Sequence, residues 1–221
     1  MATPIPDNQP LQHVHFKSRQ RVRELAEVYT HKREVDAMLG LVDDMFPSDA
    51  YPENTDRKFL EPACGSGNFL EEILVRKLRH VTVARYGAGA RFEHRTLRAL
   101  ASIYAIDIDP QNVDESKDRL RAVINSHLDM ELNTKAATAG FADAVEAILE
   151  TNIIRADSLA DAHSIRFVDY QPSRGHTFVR HWSPMVEQPG MLGVFDIEQD
   201  AVPVHYSRLP LHPTPTVGGN R

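Results

Sequence analysis

The chain of 221 residues has a single cysteine, Cys64, and no long hydrophobic run. One cysteine cannot form a disulfide within the chain, and without a second cysteine beside a histidine pair there is no zinc-binding pattern. A membrane-spanning helix needs roughly 20 consecutive apolar residues, and no stretch approaches that length. The N-terminal segment lacks the basic start and apolar core of a secretory signal. We therefore expect a cytoplasmic protein without a metal site or a membrane segment.

Basic charge is also scarce, because 25 Lys and Arg face 31 Asp and Glu, giving a net charge of −6. The cations that are present are grouped, with six between Lys17 and Arg33 and seven between Arg76 and Arg98. Such groups predict contacts with nucleic-acid phosphates if the fold brings them to one face. The pattern alone leaves the alternative of solvated helix faces open.

Hydrophobic periodicity indicates strands that alternate with helices. Apolar residues at three- and four-residue steps predict a first helix that has Thr30 as its N-cap and ends at Pro47. Short apolar runs predict buried strands, and further periodic segments predict helices after each strand. The predicted strands cover 58–63, 103–108 and 151–159, and the predicted helices cover 31–46, 69–78, 110–128 and 141–149.

This alternation predicts an α/β fold, with a Rossmann-like, doubly wound and mostly parallel sheet, since a parallel connection needs a crossover helix. Beyond Asp161 polar and apolar residues alternate, which predicts a short β-rich C-terminal extension. We expect a flexible leader over 1–15, one domain over 16–200 and a Pro-rich tail over 201–221. Within the domain we expect a helical segment over 16–46, a ligand-binding core over 58–160 and a β-rich part over 161–200.

A glycine-rich loop at 61–69 joins the first predicted strand to the following helix. Its Gly-x-Gly pattern lets the backbone approach a ligand closely and offers N–H groups to it. The same pattern often only closes a tight turn between strand and helix, and both interpretations stay open here. Asp107 and Asp157 end the second and third strands, where carboxylates can bind the ribose hydroxyls and the adenine amino group of a nucleoside.

The sequence EPACGSGNFL at 61–70 closely resembles the glycine-rich motif of class I S-adenosylmethionine-dependent methyltransferases. The variant is that of DNA methyltransferases acting on the adenine amino group. RVRELAEVYTHKREVDAML at 21–39 looks like their N-terminal cofactor segment, AIDIDP at 105–110 like their ribose-binding motif, and NIIRADSL at 152–159 like their adenine-side motif. The four motifs follow the family's order, which implies the class I methyltransferase fold, S-adenosylmethionine as cofactor and DNA as partner.

The resemblance also implies which residues hold the cofactor. Thr30 would bind the methionine carboxylate, Glu61 and Gly65 the methionine and sugar part, Asp107 the ribose and Asp157 the adenine. Ala26 and His31 depart from the Gly and Pro of the family, and the spacing from Gly65 to Asp107 is longer, which suggests an insertion at 79–98. The neighbouring residues that complete the implied cofactor site are Pro62, Ala63, Gly67, Asn68, Phe69, Ile108 and Ser158.

The catalytic tetrapeptide of this family, Asn/Asp-Pro-Pro-Tyr/Phe, does not occur in the chain. At the expected place stands Asp-Tyr-Gln-Pro-Ser-Arg at 169–174, in which Gln171 keeps an amide and Pro172 keeps one proline. These two are the candidate catalytic residues of a degenerate motif.

Two classes of function follow from these motifs. The first is a DNA methyltransferase acting on the adenine amino group in a restriction-modification or related system. The alternative is a catalytically inactive methyltransferase-like subunit that binds cofactor or DNA and acts with a partner, such as a specificity, restriction or second methyltransferase subunit. A methyltransferase for RNA, protein or a small molecule is a third possibility, because the cofactor-binding half of the fold is shared among substrates.

Overall fold

The computed structural model describes residues 30–133, 136–186 and 198–211. The chain divides into two compact units, Met1–Thr30 and His31–Arg221, and Thr30 is the described residue of the first unit. The predictions for the leader over 1–15, for 16–29 of the helical segment and for 212–221 of the tail lie outside the described residues.

Three parallel strands form the central sheet, and consecutive strands are neighbours in it. The α/β prediction is therefore confirmed. The order of these three strands contains no reversal, so the doubly wound part of the prediction has no counterpart among the described strands. The strands are β1 (Phe59–Glu61), β2 (Ile103–Asp107) and β3 (Ile153–Arg155).

Helices precede and connect these strands. The first one ends at Gly40 rather than Pro47 and has His31 as its N-cap rather than Thr30. The segment predicted as an insertion is mostly helical, and the helices in it were not predicted. Among the described helices none is long and apolar enough to cross a membrane. The helices are α1 (Lys32–Gly40), α2 (Asn68–Leu78), α3 (Val83–Tyr86), α4 (Ala90–Ala101), α5 (Pro110–Leu132) and α6 (Phe141–Asn152).

The core covers both faces of β2. Ile103 and Ala105 belong to the main hydrophobic cluster with the helices, whereas Ile106 packs in a second cluster with Ile165 and Phe167. Successive strand residues point to opposite faces, so this division follows from the apolar run of β2. A strand that is buried on both faces is typical of a parallel sheet with cover on each side.

The C-terminal part forms a separate antiparallel sheet, which confirms the predicted β-rich extension. A long hairpin, β4 and β5, turns at Gly175 and His176, both of which have positive φ. Two short strands pair with β5. The strands are β4 (Arg166–Ser173), β5 (Thr177–Pro184), β6 (Glu198–Gln199) and β7 (Val204–His205).

The residues after β7 belong to the core, although the sequence placed them in a tail. Tyr206–Leu211 form a 3₁₀ helix in which Tyr206 is 1% exposed and Leu209 is buried. The Tyr206 hydroxyl donates a hydrogen bond to Glu93 Oε2 over 2.6 Å. Residues 204–211 of the predicted tail therefore pack as part of the domain, and Pro210 among them does not prevent tight packing.

Candidate functional site

The carboxyl edge of the parallel sheet brings three of the sequence motifs together. The loop after β1 lies on the end of β2, since Cys64 N donates to Ile106 O over 2.9 Å. The loop after β3 is tied to the same place, since Ala156 N donates to Asp107 O over 3.1 Å. Glu61, Asp107 and Asp157 therefore stand at one edge, as the parallel arrangement of their strands requires.

Asp107 organises the glycine-rich loop through its carboxylate. Oδ2 accepts from Gly65 N over 2.8 Å, and Oδ1 accepts from Asp109 N over 2.9 Å and from Asn112 Nδ2 over 3.2 Å. A carboxylate has about four acceptor positions, so these three bonds leave about one on Oδ2. Sequence reasoning missed Asn112, whose signal is a polar residue in the first turn of the helix after Asp107.

The two glycines of the loop have left-handed backbone conformations, with φ of +53° at Gly65 and +87° at Gly67. A Cβ atom at Gly67 would lie 2.8 Å from Ser116 Oγ of α5. Ser116 also donates to Gly65 O over 3.1 Å, a contact that the sequence did not indicate. Gly67 is thus required for the close approach of the loop to α5, which is a packing role.

The N-terminus of α2 follows this loop directly. Gly67 is the N-cap and has no side chain to bond the first-turn N–H groups. The positive end of the helix dipole lies there, which favours a negatively charged or hydrogen-bond-accepting ligand group. Phe69, one residue into the helix, packs against the hydrophobic core instead.

Glu61 and Cys64 are both partly or fully withdrawn from water. Burial raises the pKa of Glu61, and the hydrogen bond from Ala63 N to Oε1, of 3.3 Å, opposes this. Burial also raises the pKa of the Cys64 thiol to about 12, so the thiol stays protonated at neutral pH. The thiolate is the nucleophilic form, so this environment does not activate Cys64, whose buried side chain packs beside Ser116.

Asp157 is partly exposed just beyond β3. Its Oδ1 accepts from Ala160 N and Leu159 N, each over 2.9 Å, and these two bonds lower its pKa. Two apolar side chains at the same edge are exposed, Ile108 at 53% and Leu159 at 92%. Ser158 belongs to the same turn as Asp157. The edge therefore offers carboxylates together with exposed apolar surface.

Thr30 is the last residue of the N-terminal unit. Its contact with the methionine carboxylate stays a prediction.

Gln171 and Pro172 lie at the opposite edge of the parallel sheet, where β1 and β2 begin, which we call the amino edge. With Lys58, which precedes β1, and Ser102, which precedes β2, they line a cavity of about 260 Å³. The length of β2 separates this cavity from Asp107 by about 13 Å at 3.3 Å per residue. Both residues lie near the end of β4, the next strand after Asp157, but β4 pairs antiparallel with β5, so they do not reach the carboxyl edge where Asp107 lies.

The amide of Gln171 is engaged locally at that edge. Its Nε2 donates to Asp169 Oδ2 over 3.3 Å, and the same oxygen forms an ion pair with Lys58 Nζ over 2.8 Å. Nothing in these contacts resembles a pair of acceptors that faces a bound base.

Most of the described cations of the two basic segments have partners. Arg76 pairs with Glu72 over 2.9 Å, Arg98 pairs with Asp56, and Lys77 is fully buried and donates to Thr55 O and Arg57 O. The segment from Arg76 to Arg98 is therefore not one continuous basic face. Of the other segment, Lys32 pairs with Glu72 and Arg33 with Glu34, and the remaining cations lie outside the described residues.

Within the described ranges, no group of three or more His, Cys, Asp or Glu side chains is placed to hold a metal ion. Comparison of the chain with protein-family models, with curated proteins and with solved structures found no match.

Proposed function

We propose that this chain binds S-adenosylmethionine at the carboxyl edge of its parallel sheet, as a Rossmann-like domain of the class I methyltransferase type. The observation that carries the proposal is the 2.8 Å hydrogen bond from Gly65 N to Asp107 Oδ2, which joins the glycine-rich loop to the acidic strand end. These are the two parts of the sequence that the resemblance assigns to one cofactor. Asp157 at the same edge adds the third.

The side chains at this edge fit the chemical parts of the cofactor. The remaining acceptor position on Asp107 suits a ribose hydroxyl, and the partly exposed carboxylate of Asp157 suits the adenine amino group. Ile108 and Leu159 offer exposed apolar surface to a flat purine. The bound cofactor would supply an electrophilic methyl group on a positively charged sulfur.

The position of Gln171 and Pro172 favours the cofactor-binding subunit over a complete methyltransferase. An acceptor amine must be held about 3 to 3.5 Å from the methyl group in line with the breaking bond. Residues at the amino edge cannot do this for a cofactor at the carboxyl edge. We propose that the groups that hold the methyl acceptor, an adenine amino group in DNA by the resemblance, come from a partner subunit.

Calorimetric titration with S-adenosylmethionine tests the cofactor site. We expect saturable binding, and we expect Asp157→Asn to weaken it about tenfold, because the hydrogen bond to the adenine amino group loses its charge while Oδ1 can still accept from Leu159 N and Ala160 N. Asp169→Asn is the matched control at the amino edge and should bind like the wild type. Absence of binding at millimolar cofactor would remove the proposal.

Transfer of labelled methyl groups to DNA tests whether a partner subunit is needed to hold the methyl acceptor. We expect the chain alone to transfer none and to transfer only when its partner subunit is added. Transfer by the chain alone that Gln171→Ala abolishes, with cofactor binding intact, would instead establish it as a complete adenine methyltransferase.

A further inference from the structure

Two arginines and one tyrosine form a compact cluster on the surface of α3 and α4. The Cζ atoms of Arg91 and Arg95 lie 5.7 and 5.1 Å from the centroid of the Tyr86 ring. The two arginines are one helical turn apart on α4, and Tyr86 is the last residue of α3. Stacking on the ring restricts both guanidinium groups and so reduces the entropy that a ligand contact would cost.

The charge of this cluster is not compensated within the described part of the chain. Neither Arg91 nor Arg95 pairs there with a carboxylate, and Nη1 of Arg95 is buried without a hydrogen-bond partner. Arg98, the next cation along the same helix face, forms the ion pair with Asp56, whose charge acts on Arg95 only through space. Buried polar atoms are nearly always hydrogen-bonded in native proteins, so the Arg95 guanidinium calls for an acceptor beyond those that the described residues supply.

The arrangement is also electrostatically unfavourable as it stands. Burial lowers the pKa of Arg95, Arg98 and Arg91 add to the effect, and Tyr86 and Asp56 oppose it without cancelling it. A guanidinium nevertheless remains charged at neutral pH. Like charges at a spacing of four residues destabilise a helix, and a bound anion would relieve that repulsion. Anion binding should therefore stabilise the folded chain.

We propose that Arg91 and Arg95, held on Tyr86, bind a phosphate group. A guanidinium is a planar fork that bonds two phosphate oxygens at once, and two forks match an ion with several equivalent oxygens and up to two charges. Arg91 is exposed and Arg95 is half-buried, so an anion can reach the outer part of both side chains. The phosphate could belong to a free phosphate ester or to the backbone of DNA, and the chemistry of recognition is the same.

This site is separate from the proposed cofactor site. Arg98, which follows Arg91 and Arg95 on α4, lines the cavity at the amino edge together with Gln171. The inference goes beyond the proposed function and does not depend on it. Calorimetry with S-adenosylmethionine in parallel distinguishes the two, because loss of both arginines should leave cofactor affinity unchanged.

Unfolding in the presence of inorganic phosphate, at constant ionic strength set with chloride, tests the site. The wild type should gain stability in a saturable manner, and the variant with Arg91→Gln and Arg95→Gln should need at least about tenfold more phosphate for the same gain. Arg119→Gln is the matched control, since Arg119 is a half-exposed guanidinium that already pairs with Glu71 over 2.8 Å. A wild type that gains nothing, or a double variant that gains as much, would overturn the proposal. A general salt effect of phosphate would be unsaturable and equal in all three proteins.

A titration of fluorescent duplex DNA then assigns the source of the phosphate. If the group belongs to DNA, the double variant should bind more weakly and its dependence of log K on log salt should be shallower by about 1, since one phosphate contact is lost. If the inorganic phosphate response is lost in the variant while DNA binding is unchanged, the site is supported and its ligand is a free phosphate or phosphate ester.

Discussion

The parallel α/β region and the antiparallel C-terminal sheet are held in this molecule by different forces. In the first region the strands and helices pack through fully buried apolar side chains, among them Leu74, Ile103 and Leu120. Gly67 lets the glycine-rich loop touch α5 directly. Close apolar packing of this kind tolerates little change of volume and has little dependence on pH.

The C-terminal sheet is joined to that region by buried polar side chains in addition to apolar ones. Glu93 of α4 accepts from Tyr206 and Thr138, and Asn152 accepts from Val168 N over 3.3 Å while donating to Ala101 O. Such bonds are directional and costly to leave unmade. The proposed cofactor edge lies in the first region and the degenerate catalytic motif in the second, so the two can be perturbed separately.

The largest effect is expected where the glycine-rich loop lies directly against α5. Gly67→Ala places a Cβ 2.8 Å from Ser116 Oγ and 3.0 Å from its Cα, in a residue whose φ is +87°. We expect a loss of about 3 kcal/mol in the free energy of unfolding, from left-handed strain and overpacking together. Urea titration followed by the fluorescence of Trp182, the single tryptophan, measures it.

Gly40→Ala is the matched control for this change. It lies at the end of α1, and a Cβ there would have no atom within 4 Å. It should be neutral or slightly stabilising. Equal losses at the two glycines would contradict the packing role of Gly67.

The next effect is expected at the polar junction, the cluster of hydrogen bonds that joins Glu93 to Thr138 and Tyr206. Glu93→Gln removes a buried carboxylate that accepts from Thr138 N over 2.9 Å, from the Thr138 hydroxyl and from the Tyr206 hydroxyl. We expect about 2 to 3 kcal/mol of destabilisation, and about 1 kcal/mol for Tyr206→Phe, which removes one donor. Relative to the wild type, hydrogen exchange in both variants should accelerate more in 204–211 than in β2. Uniform acceleration in both places would show that the junction is not a separate unit.

A pH dependence of similar size should arise at the same junction. His94 of α4 donates from Nε2 to Thr177 O over 3.2 Å, and burial, with Arg98 as a second cause, lowers its pKa to about 4. An unfolded histidine titrates near 6.5, so the unfolded chain binds more protons between these two values. The stability contribution of neutral His94 is thus complete above about pH 6.5 and is lost as the pH falls toward 4.

Between pH 7 and 5 we expect a loss of about 2 kcal/mol from His94. The check is the free energy of unfolding at both pH values for the wild type and for His94→Gln, which keeps a side-chain N–H donor but cannot titrate. The variant should lose clearly less on acidification. The same drop in both proteins would place the pH dependence elsewhere.

The smallest effect is expected at the amino edge. Gln171 is exposed and its amide contacts Asp169, so Gln171→Ala should change the free energy of unfolding by no more than about 0.5 kcal/mol and leave cofactor affinity unchanged. Calorimetry and urea titration of the variant provide both numbers. A marked loss of cofactor affinity would show that the two regions are coupled through this edge.

Local patterns in the sequence were sufficient to predict the strands and most helices of the α/β region. The apolar runs of β1, β2 and β3 and the glycine turn each lie within ten residues of chain, where backbone preferences and periodicity act directly. α4 was not predicted, because its apolar residues, Phe92, Leu97 and Leu100, are interspersed with arginines and the segment was interpreted from its charge. The packing of 204–211 was not predicted, because proline content does not indicate whether the side chains of Tyr206 and Leu209 are buried.

The sequence by itself determined that Glu61, Asp107 and Asp157 would share one edge, because parallel strands connected by helices must end on the same side. Only the tertiary structure decided where Gln171 and Pro172 lie, since the partner of β4 is chosen by long-range pairing with β5 and not by any local pattern. It likewise decided which cations remain uncompensated. Whether Arg98 or Arg95 has a carboxylate depends on Asp56, some forty residues away in the chain, and contacts of that range are set by packing.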